Sequence, residues 1–448
     1  MIFSTSLPRF KAFLGDFCCK STDLACCLLF VTPFLMPTCR RSVAAAARSI
    51  LSDLRDAGWM LRWLGSSSAP PALLAAAQFR LLETSRSAAG RLHVLVVDST
   101  FHGQQGKYTQ NTIDCGNTKK RPKQSNRHQK KTHRHSGHCF VFALLLTPDG
   151  LRIPYWLPFY TEKYCEIFGL VHRSQASLAA DLIDRIPLPQ GSPVVVVGDT
   201  AFEAKQIRKA CARRDWQWVV PLNPERRLAG KSARPKVRSL YTQLNTNDFH
   251  KVSFRLDQGD LAAMARVSPS RSQAKKHQRT YWVHHRTVAV HNVGEVAMLF
   301  SRLTEPTPGD VTVQKVLISN AVGATTEELL YWYSLRWQIE LFFKEMKSEL
   351  GMCQYKLGPF ERVEGWVNLS VAAFCYLEWY RRHKQEEANG KDKPFWQRLR
   401  TAGLKEKIRQ QVFRAEIEAL LKLAGDEEGR ACLQGLLDRI SDDPAAAA

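Results

Sequence analysis

The chain has 448 residues, enough for two or three domains with separate cores, and its hydrophobic fraction of 44% is that of an ordinary globular protein. Lys and Arg number 64 against 42 Asp and Glu, so the formal net charge is +22, which favours a polyanionic partner such as nucleic acid over a merely basic soluble protein. The 12 cysteines include no C-x-x-C pair, which argues against a disulfide framework and a zinc ribbon and fits a reducing cytoplasm.

Residues 1–88 are predicted to be helical. The apolar run Leu24–Met36 is too short to span a bilayer and contains Pro33, so we interpret it as a buried helix rather than a signal-peptide core, and we expect no membrane partner. Helical periodicity follows over Arg40–Leu64 and, after a Ser- and Pro-rich break, over Ala72–Thr84.

The periodicity then changes to short apolar runs that predict buried strands. The predicted strands are Leu92–Asp98, His138–Thr147, Leu151–Tyr160, Val194–Asp199 and Trp218–Leu222. Pro154 and Pro158 favour an edge position for the third of these strands. Helices are predicted over Ser174–Ile186 and Glu203–Arg214. This α/β order predicts a ribonuclease-H-like, mixed-sheet core that begins in residues 89–222.

Residues 223–321 interrupt that core and are predicted to form a β-rich insertion, because polar stretches alternate there with strand-like runs such as Thr280–Val290 and Val311–Ser319. The core would resume over residues 322–383, and residues 384–448 would form a helical C-terminal region. Within the resumed core, Thr325 and Glu328 form an S/T-x-x-E capping box that begins a long helix ending at Gly351. A second helix is predicted over Val363–Arg382.

Asp98 and Asp199 each follow a run of β-forming residues, at the ends of the first and fourth predicted strands. Phosphodiester cleavage can use two divalent ions about 3.5–4 Å apart, and such hard cations prefer carboxylate oxygens. Each aspartate alone could equally be a turn or helix-cap residue. Ser99 and Thr200 follow them, but no histidine at a diagnostic spacing supports either hydroxyl as a nucleophile.

The long helix adds a charged stripe. At 100° per residue, its phenol, guanidinium, carboxylate and ammonium fall within an arc of about 60°; they belong to Tyr333, Arg336, Glu340 and Lys347. The alternative is a solvated face with i,i+3 and i,i+4 ion pairs. The surrounding aromatic residues indicate burial, so the charges need a shared partner, which a metal ion and DNA phosphates would provide.

The spacing Y-x2-R-x3-E-x6-K resembles the signature of bacterial insertion-sequence transposases in the group named after insertion sequence four, within the DDE superfamily. Asp98 in VVDST and Asp199 in VVGDTAF resemble the two Asp motifs, and the likeness extends over about residues 90–385. It implies that Asp98, Asp199 and Glu340 bind two Mg²⁺ ions, with Mn²⁺ as a substitute. It also implies that the other three stripe residues (Tyr333, Arg336 and Lys347) hold DNA phosphates, for which the planar Arg suits bidentate contact.

The resemblance further implies a cut-and-paste DNA transposase of the bacterial cytoplasm and nucleoid. Its partners would be double-stranded DNA, as transposon ends and as target, and a second copy of the chain on the paired end. The N-terminal helices would recognise end DNA and the C-terminal helices would pair the protomers. In relatives an aromatic residue of the insertion stacks on a flipped base; Trp282 is a candidate without a secure alignment. Two alternatives stay open, a non-transposing nuclease of the same fold and a non-catalytic DNA-binding protein derived from a transposase.

A basic loop, residues 119–138, lies between the first two predicted strands and holds eight Lys or Arg and four His. Its cations are expected to neutralise DNA phosphates; the selected residues are Lys119, Lys120, Arg121, Lys130 and Lys131. The alternative is a solvated hairpin. A zinc site would use His133, His135, His138 and Cys139, but it lacks paired cysteine spacing.

Overall fold

The computed structural model describes residues 7, 9–14, 31, 35, 57–85, 90–104, 108–115, 135–230, 235–257, 262–265, 277–388, 392–423, 427, 429–431 and 434. The chain forms two compact units. Residues 85–343 form the sheet unit, and residues 1–84 with 344–448 form the helical unit.

One mixed sheet of ten strands organises the sheet unit. The strands are β1 His93–Gly103, β2 Ile113–Cys115, β3 His135–Leu146, β4 Arg152–Pro158, β5 Val194–Val197, β6 Gln217–Pro221, β7 His250–Arg255, β8 Gln278–Val290, β9 Gly294–Arg302 and β10 Lys315–Ser319. Their order is β2-β3-β1-β5-β6-β10-β9-β8-β7, with β4 paired to β3. Strands β1, β5 and β6 are mutually parallel, whereas the other pairs are antiparallel.

The described helices precede, separate and follow the strands along the chain. In chain order they are α1 Phe10–Leu14, α2 Ala57–Leu64, α3 Ala69–Thr84, α4 Glu162–Phe168, α5 Gln175–Arg185, α6 Lys205–Arg214, α7 Ala262–Ala265, α8 Thr326–Ser334, α9 Trp337–Ser348, α10 Phe360–Glu387, α11 Asp392–Arg398 and α12 Thr401–Leu423. Helices predicted over Ala72–Thr84, Ser174–Ile186, Glu203–Arg214 and Val363–Arg382 are therefore confirmed with small shifts in their ends. Most of the predicted apolar helix at residues 24–36 lies outside the described residues.

The central strands are continuous apolar runs because both of their faces are covered. The valines of β5 and the Val94–Val97 segment of β1 are at most 2% exposed, as expected for parallel strands in an α/β sheet. Strand β4, with Pro154 and Pro158, pairs with β3 and with no other described strand, so its predicted edge position is confirmed. The predicted mixed α/β architecture, with one large mixed sheet and helices towards both ends of the chain, is confirmed.

The inserted segment is β-rich, as predicted, but it extends the core sheet instead of forming a separate one. Strand β10 pairs with β6 through Ile318↔Val220 on one side and with β9 through Ile318↔Met298 on the other. Strands β7 to β9 continue from this edge as an antiparallel meander. Periodicity revealed the strands, but their partners depend on contacts distant in sequence.

The predicted capping box at Thr325 is present. The Thr325 hydroxyl oxygen accepts from the Glu328 backbone N–H at 3.2 Å, and the Glu328 carboxylate accepts from the Thr325 backbone N–H at 2.8 Å. These two bonds satisfy N–H groups that have no partner within the helix and fix where α8 begins.

The continuous helix predicted from Thr325 to Gly351 is wrong in its middle, because α8 ends at Ser334 and α9 begins at Trp337. At the break the Arg336 N–H donates to the Tyr333 carbonyl at 3.0 Å, which is a tighter, three-residue spacing. The Ser334 hydroxyl also donates to the Tyr331 carbonyl at 2.6 Å, which competes with the regular helical pattern. The break sets Arg336 between two helices.

Helix α10 is the core of the helical unit and packs against α2, α3, α11 and α12. Its Gly365 allows a close crossing, since a Cβ there would lie 2.0 Å from the carbonyl oxygen of Leu64 in α2. Among the described helices, none combines the length and the apolar character needed to cross a bilayer.

Candidate active site

Asp98 lies within β1, and Asp199 follows the end of the neighbouring parallel strand β5 at a matching height. The register pairs Val96 of β1 with Val197 of β5, and each aspartate comes two residues beyond its valine. Neighbouring residues at the same register of parallel strands point to the same face of the sheet. The two strands therefore bring the two carboxylates to one edge of the core.

Local packing after β5 fixes the direction of Asp199. A Cβ on Gly198 would lie 2.9 Å from Phe202 Cβ and 3.2 Å from Val97 Cγ2, so only glycine fits this close approach. The chain then makes a 3-10 turn over Thr200–Phe202, and the Asp199 carboxylate caps it by accepting from the Ala201 N–H at 2.8 Å. Asp199 is therefore a cap residue as well as a neighbour of Asp98.

Helix α9 contributes the third carboxylate, and an aromatic cluster positions that helix. Asp98 pairs with Phe142 across β1 and β3, so their side chains share one face of the sheet. The ring of Phe142 packs edge-on against Phe342 and Phe343, with centroids 5.4 and 5.5 Å away. The first turns of α9, which carry Glu340, are thereby fixed on the sheet face that holds Asp98.

Arg336, at the break between α8 and α9, joins two of the carboxylates. Its Nη1 lies 3.7 Å from Asp98 Oδ2, and its Nη2 donates a short hydrogen bond to Glu340 Oε1. The three side chains are only 16–33% exposed. Such partly buried charges interact more strongly than charges in open solvent.

The electrostatics around Asp98 reflect this crowding. The pKa of Asp98 is raised to about 6, mainly by burial and also by the nearby Asp199 and Glu340 carboxylates, against the lowering effect of the Ser99 N–H and Arg336. The Ser99 N–H donates to Asp98 Oδ1 at 2.7 Å. A raised carboxyl pKa means that the negative form lacks enough stabilising partners in this state.

The donor chemistry of the site fits a hard divalent cation, because the carboxylates of Asp199 and Glu340 both repel the Asp98 carboxylate. A bound cation would relieve that repulsion. As the side chains stand, no His, Cys, Asp or Glu cluster of three or more in the described part of the chain is arranged to ligate a metal ion. The Arg336 guanidinium already pairs with Asp98 and Glu340, so a cation would compete with it for these oxygens.

Tyr333 lies one turn before Arg336, beside a cation that sequence reasoning missed. Lys315 Nζ, at the start of β10, donates to the Tyr333 hydroxyl at 3.2 Å and lies 4.9 Å from the centre of its ring. Burial opposes the charge of Arg336, but Tyr333, Glu340 and Asp98 outweigh that effect and raise its pKa, so it stays charged. No spacing pattern could reveal Lys315, because it meets Tyr333 only through the pairing of strand and helix.

Other predicted residues lie elsewhere. Lys347 is near the end of α9, in the helical unit. It lies near Cys353, because the Lys347 ammonium lowers the pKa of that thiol, which burial raises to about 12. On β8, burial and the nearby Tyr333 raise the pKa of Tyr281. Trp282 is the next residue along the strand and therefore points to the other face of the sheet.

The basic-loop residues Lys119, Lys120, Arg121, Lys130 and Lys131 lie outside the described residues, and so does His133 of the zinc alternative. Of the other residues in that alternative, His138 is buried in β3 and its ring Nε2 lies 2.8 Å from the Gln110 carbonyl. The sulfur of Cys139 accepts a hydrogen bond from the Gln175 amide at 3.4 Å.

A family model of known proteins matches more than half of this chain. Residues 89–377 match the family model of the transposase DDE domain. No curated protein sequence matches the chain. Among solved structures the chain is similar to piggyBac transposase in a synaptic complex with hairpin DNA, with 10% sequence identity and a TM-score of 0.40. That likeness covers 95% of this chain and 78% of the other.

Proposed function

Because the chain belongs to the family of transposase DDE domains, we propose that it is a cut-and-paste DNA transposase that uses Asp98, Asp199 and Glu340 as its catalytic carboxylates. The observation that carries this assignment is the electrostatic coupling of Asp98 to both other carboxylates, which come from the turn after β5 and from α9. These acidic residues are far apart in sequence but close enough in space for their charges to interact. They need a cationic partner to be stable together.

Two Mg²⁺ ions, or Mn²⁺ in their place, are the proposed partners, and they would supply an activated water and charge neutralisation at the reacting phosphate. Asp98, Asp199 and Glu340 would hold them. The rigid supports favour this role, because Asp98 is held by the Ser99 N–H and Asp199 by the Ala201 N–H. Preorganised ligands lose little conformational entropy when a cation binds.

The protein's cations would hold the DNA. Arg336 can exchange its carboxylate partners for a phosphate, and Tyr333 with Lys315 offers two further donors one turn away. Lys347 and the basic-loop lysines and arginine would add point charges along the backbone. In this arrangement negative DNA meets a local surplus of positive charge on a chain with net charge +22.

The proposed reaction has two displacements at phosphorus. In the first, a water oxygen bonds to the phosphorus at the element end, and the bond from phosphorus to the 3′ oxygen breaks, which frees a 3′-OH. In the second, that 3′ oxygen bonds to a phosphorus of target DNA or of the opposite strand and displaces another 3′ oxygen. Both steps would use the same carboxylates, because each is an in-line exchange of oxygens at one phosphorus.

The finer assignment to the group named after insertion sequence four rests on the spacing of Tyr333, Arg336, Glu340 and Lys347. In this proposal the enzyme acts on the bacterial nucleoid, in the cytoplasm, as a homodimer on two paired ends. The N-terminal helices would recognise end DNA, and the C-terminal helices would pair the protomers.

The test is a cleavage assay on a plasmid that carries the coding sequence with its genomic flanks. We expect Mg²⁺-dependent cuts at both element ends, which EDTA abolishes and Mn²⁺ restores. Asp98→Asn, Asp199→Asn and Glu340→Gln should each lower the rate by about 10³-fold or more, or about 4 kcal/mol, while DNA binding is kept. Asp215→Asn, a change in the α6–β6 turn, is the matched control.

The same assay separates the alternatives. A pre-cut end with a free 3′-OH should join to target plasmid; cutting without joining would identify a non-transposing nuclease. Binding without any Mg²⁺-dependent cutting by the wild-type protein would identify a non-catalytic DNA-binding protein and overturn the proposal.

A further inference from the structure

A basic cavity lies in the sheet unit, between the start of α6, which soon follows Asp199, and two segments more distant in sequence. It has a volume of about 510 Å³ and is lined by Ala204, Lys205, Gln206, Arg208, Arg226 and Asn292. Three of these six residues are cations and none is acidic. A cavity of this size suits a small ligand or one segment of a larger one.

The two arginines are held in place by a buried carboxylate. Glu203 is 7% exposed and pairs with Arg208 through a short hydrogen bond and with Arg226 at 3.0 Å. Arg208 also donates to the Asn292 carbonyl at 3.1 Å, in the turn between β8 and β9. Long basic side chains that are already ordered lose less entropy when they bind a ligand.

The charges around the cavity do not cancel. Arg208, Arg226 and Lys205 contribute three positive charges, and Glu203 contributes one negative charge. The side chain of Arg226 is 37% exposed, and Lys205 is exposed at the start of α6. Partly buried cations in excess favour an anion, and a planar guanidinium suits the oxygens of a phosphate.

The cavity lies within reach of the DNA strand that would be cut at the carboxylates. Ala204 is five residues after Asp199, and consecutive Cα atoms are 3.8 Å apart, so their Cα atoms lie within about 19 Å of each other. One DNA strand carries a phosphate every ~3.4 Å along the helix axis. A strand cut at the carboxylates therefore offers further phosphates that can reach the cavity.

We propose that this cavity binds a backbone phosphate of the DNA strand, within about six nucleotides of the bond that is cut. The inference rests on the proposed function and adds a DNA contact outside the Tyr-Arg-Glu-Lys stripe. Lys205 and Arg226 supply the contact, and Glu203 orients Arg226 through their ion pair.

The experiment measures binding to duplexes in which one phosphate at a time is replaced by an uncharged methylphosphonate. For the wild-type protein, one replacement within about six nucleotides of the cut should weaken binding about three- to tenfold. Lys205→Ala and Arg226→Ala should weaken binding of the unmodified duplex by a similar factor, and they should lose the sensitivity at that position. Lys209→Ala, an exposed lysine one turn further along α6 that does not line the cavity, should behave as wild type.

Equal sensitivity of the wild type and both variants at every position would overturn the inference. An amine-acetylation footprint separates DNA from free anions: the duplex should protect Lys205, whereas protection by inorganic phosphate alone, without any methylphosphonate effect, would also overturn it. Thermal unfolding checks that each variant folds. If the wild-type protein cuts no DNA, the proposed function fails; if it cuts normally and Lys205→Ala matches Lys209→Ala throughout, only the cavity inference fails.

Discussion

The guanidinium of Arg336 lies 3.7 Å from the carboxylate of Asp98, although Arg336 lies at the break between α8 and α9 and Asp98 lies in β1. Arg336 also holds Glu340 through a short hydrogen bond. The single positive charge of Arg336 is thus shared between two proposed metal ligands, Asp98 and Glu340. This relationship makes the site sensitive to the protonation and neutralisation of its carboxylates.

Replacing Arg336 should change metal binding and catalysis in opposite directions. At pH 8, Arg336→Met removes a positive charge near Asp98 and frees Glu340, so Mg²⁺ affinity should rise about threefold or more. Cleavage should fall by about 10²-fold or more, because a charged donor to the phosphate is lost. Calorimetric Mg²⁺ titration and the plasmid assay measure the two effects. Arg336→Lys, which keeps the charge, is the control; a lower Mg²⁺ affinity in Arg336→Met would contradict the proposed competition.

The raised pKa of Asp98 predicts how the metal-free protein responds to pH. Because burial and the neighbouring carboxylates raise the pKa to about 6 from 3.8, the folded state holds this proton more tightly than the unfolded state. Its contribution to stability is full below about pH 4 and is lost as the pH rises through about 6. The loss amounts to at most on the order of 3 kcal/mol.

Asp98→Asn should therefore raise the unfolding free energy at pH 8 and leave it nearly unchanged at pH 4. Urea unfolding in EDTA at both pH values measures this difference. Mg²⁺ at pH 8 should stabilise the wild type and not the variant, since ligand binding to the folded state shifts the unfolding equilibrium. A variant that gains no stability at pH 8 would contradict the origin assigned to the shift.

Phe142 should matter for catalysis through the position of α9. Phe142→Leu removes its edge-on contacts with Phe342 and Phe343 and should cost about 1–3 kcal/mol. Because Glu340 lies on that helix, cleavage should fall by about tenfold or more even where the protein is fully folded. Phe374→Leu, at a fully buried position of the helical unit, is the matched control for lost stability. Equal cleavage by the two variants at 20 °C would argue against the positioning role.

Gly198 should resist substitution by alanine. The added Cβ would lie 2.9 Å from Phe202 Cβ, and that contact cannot relax without moving the turn that Asp199 caps. We expect Gly198→Ala to cost about 1–3 kcal/mol in urea unfolding and to slow cleavage. Gly323→Ala, where nothing lies within 4 Å of the new Cβ, should change neither quantity. A neutral Gly198→Ala would show that the close approach is not needed.

The sequence by itself determined the local features of this protein. The valine runs before Asp98 and Asp199 predicted the two buried strands, although β1 continues past Asp98 to Gly103 and β5 ends at Val197, and the Thr325–Glu328 capping box predicted where α8 begins. The spacing of Tyr333, Arg336 and Glu340 pointed to one charged site. These features can be predicted from the sequence because strand burial, helix capping and helical spacing depend on residues close together in the chain.

The tertiary structure alone decided how these features meet. It set the register of β1 on β5, paired Asp98 with Phe142, and joined the inserted strands to the core through β10. It also broke the predicted long helix at Arg336 and brought Lys315 to Tyr333. Register, ring packing and charge coupling join residues far apart in sequence, so their energies depend on which elements become neighbours when the chain folds.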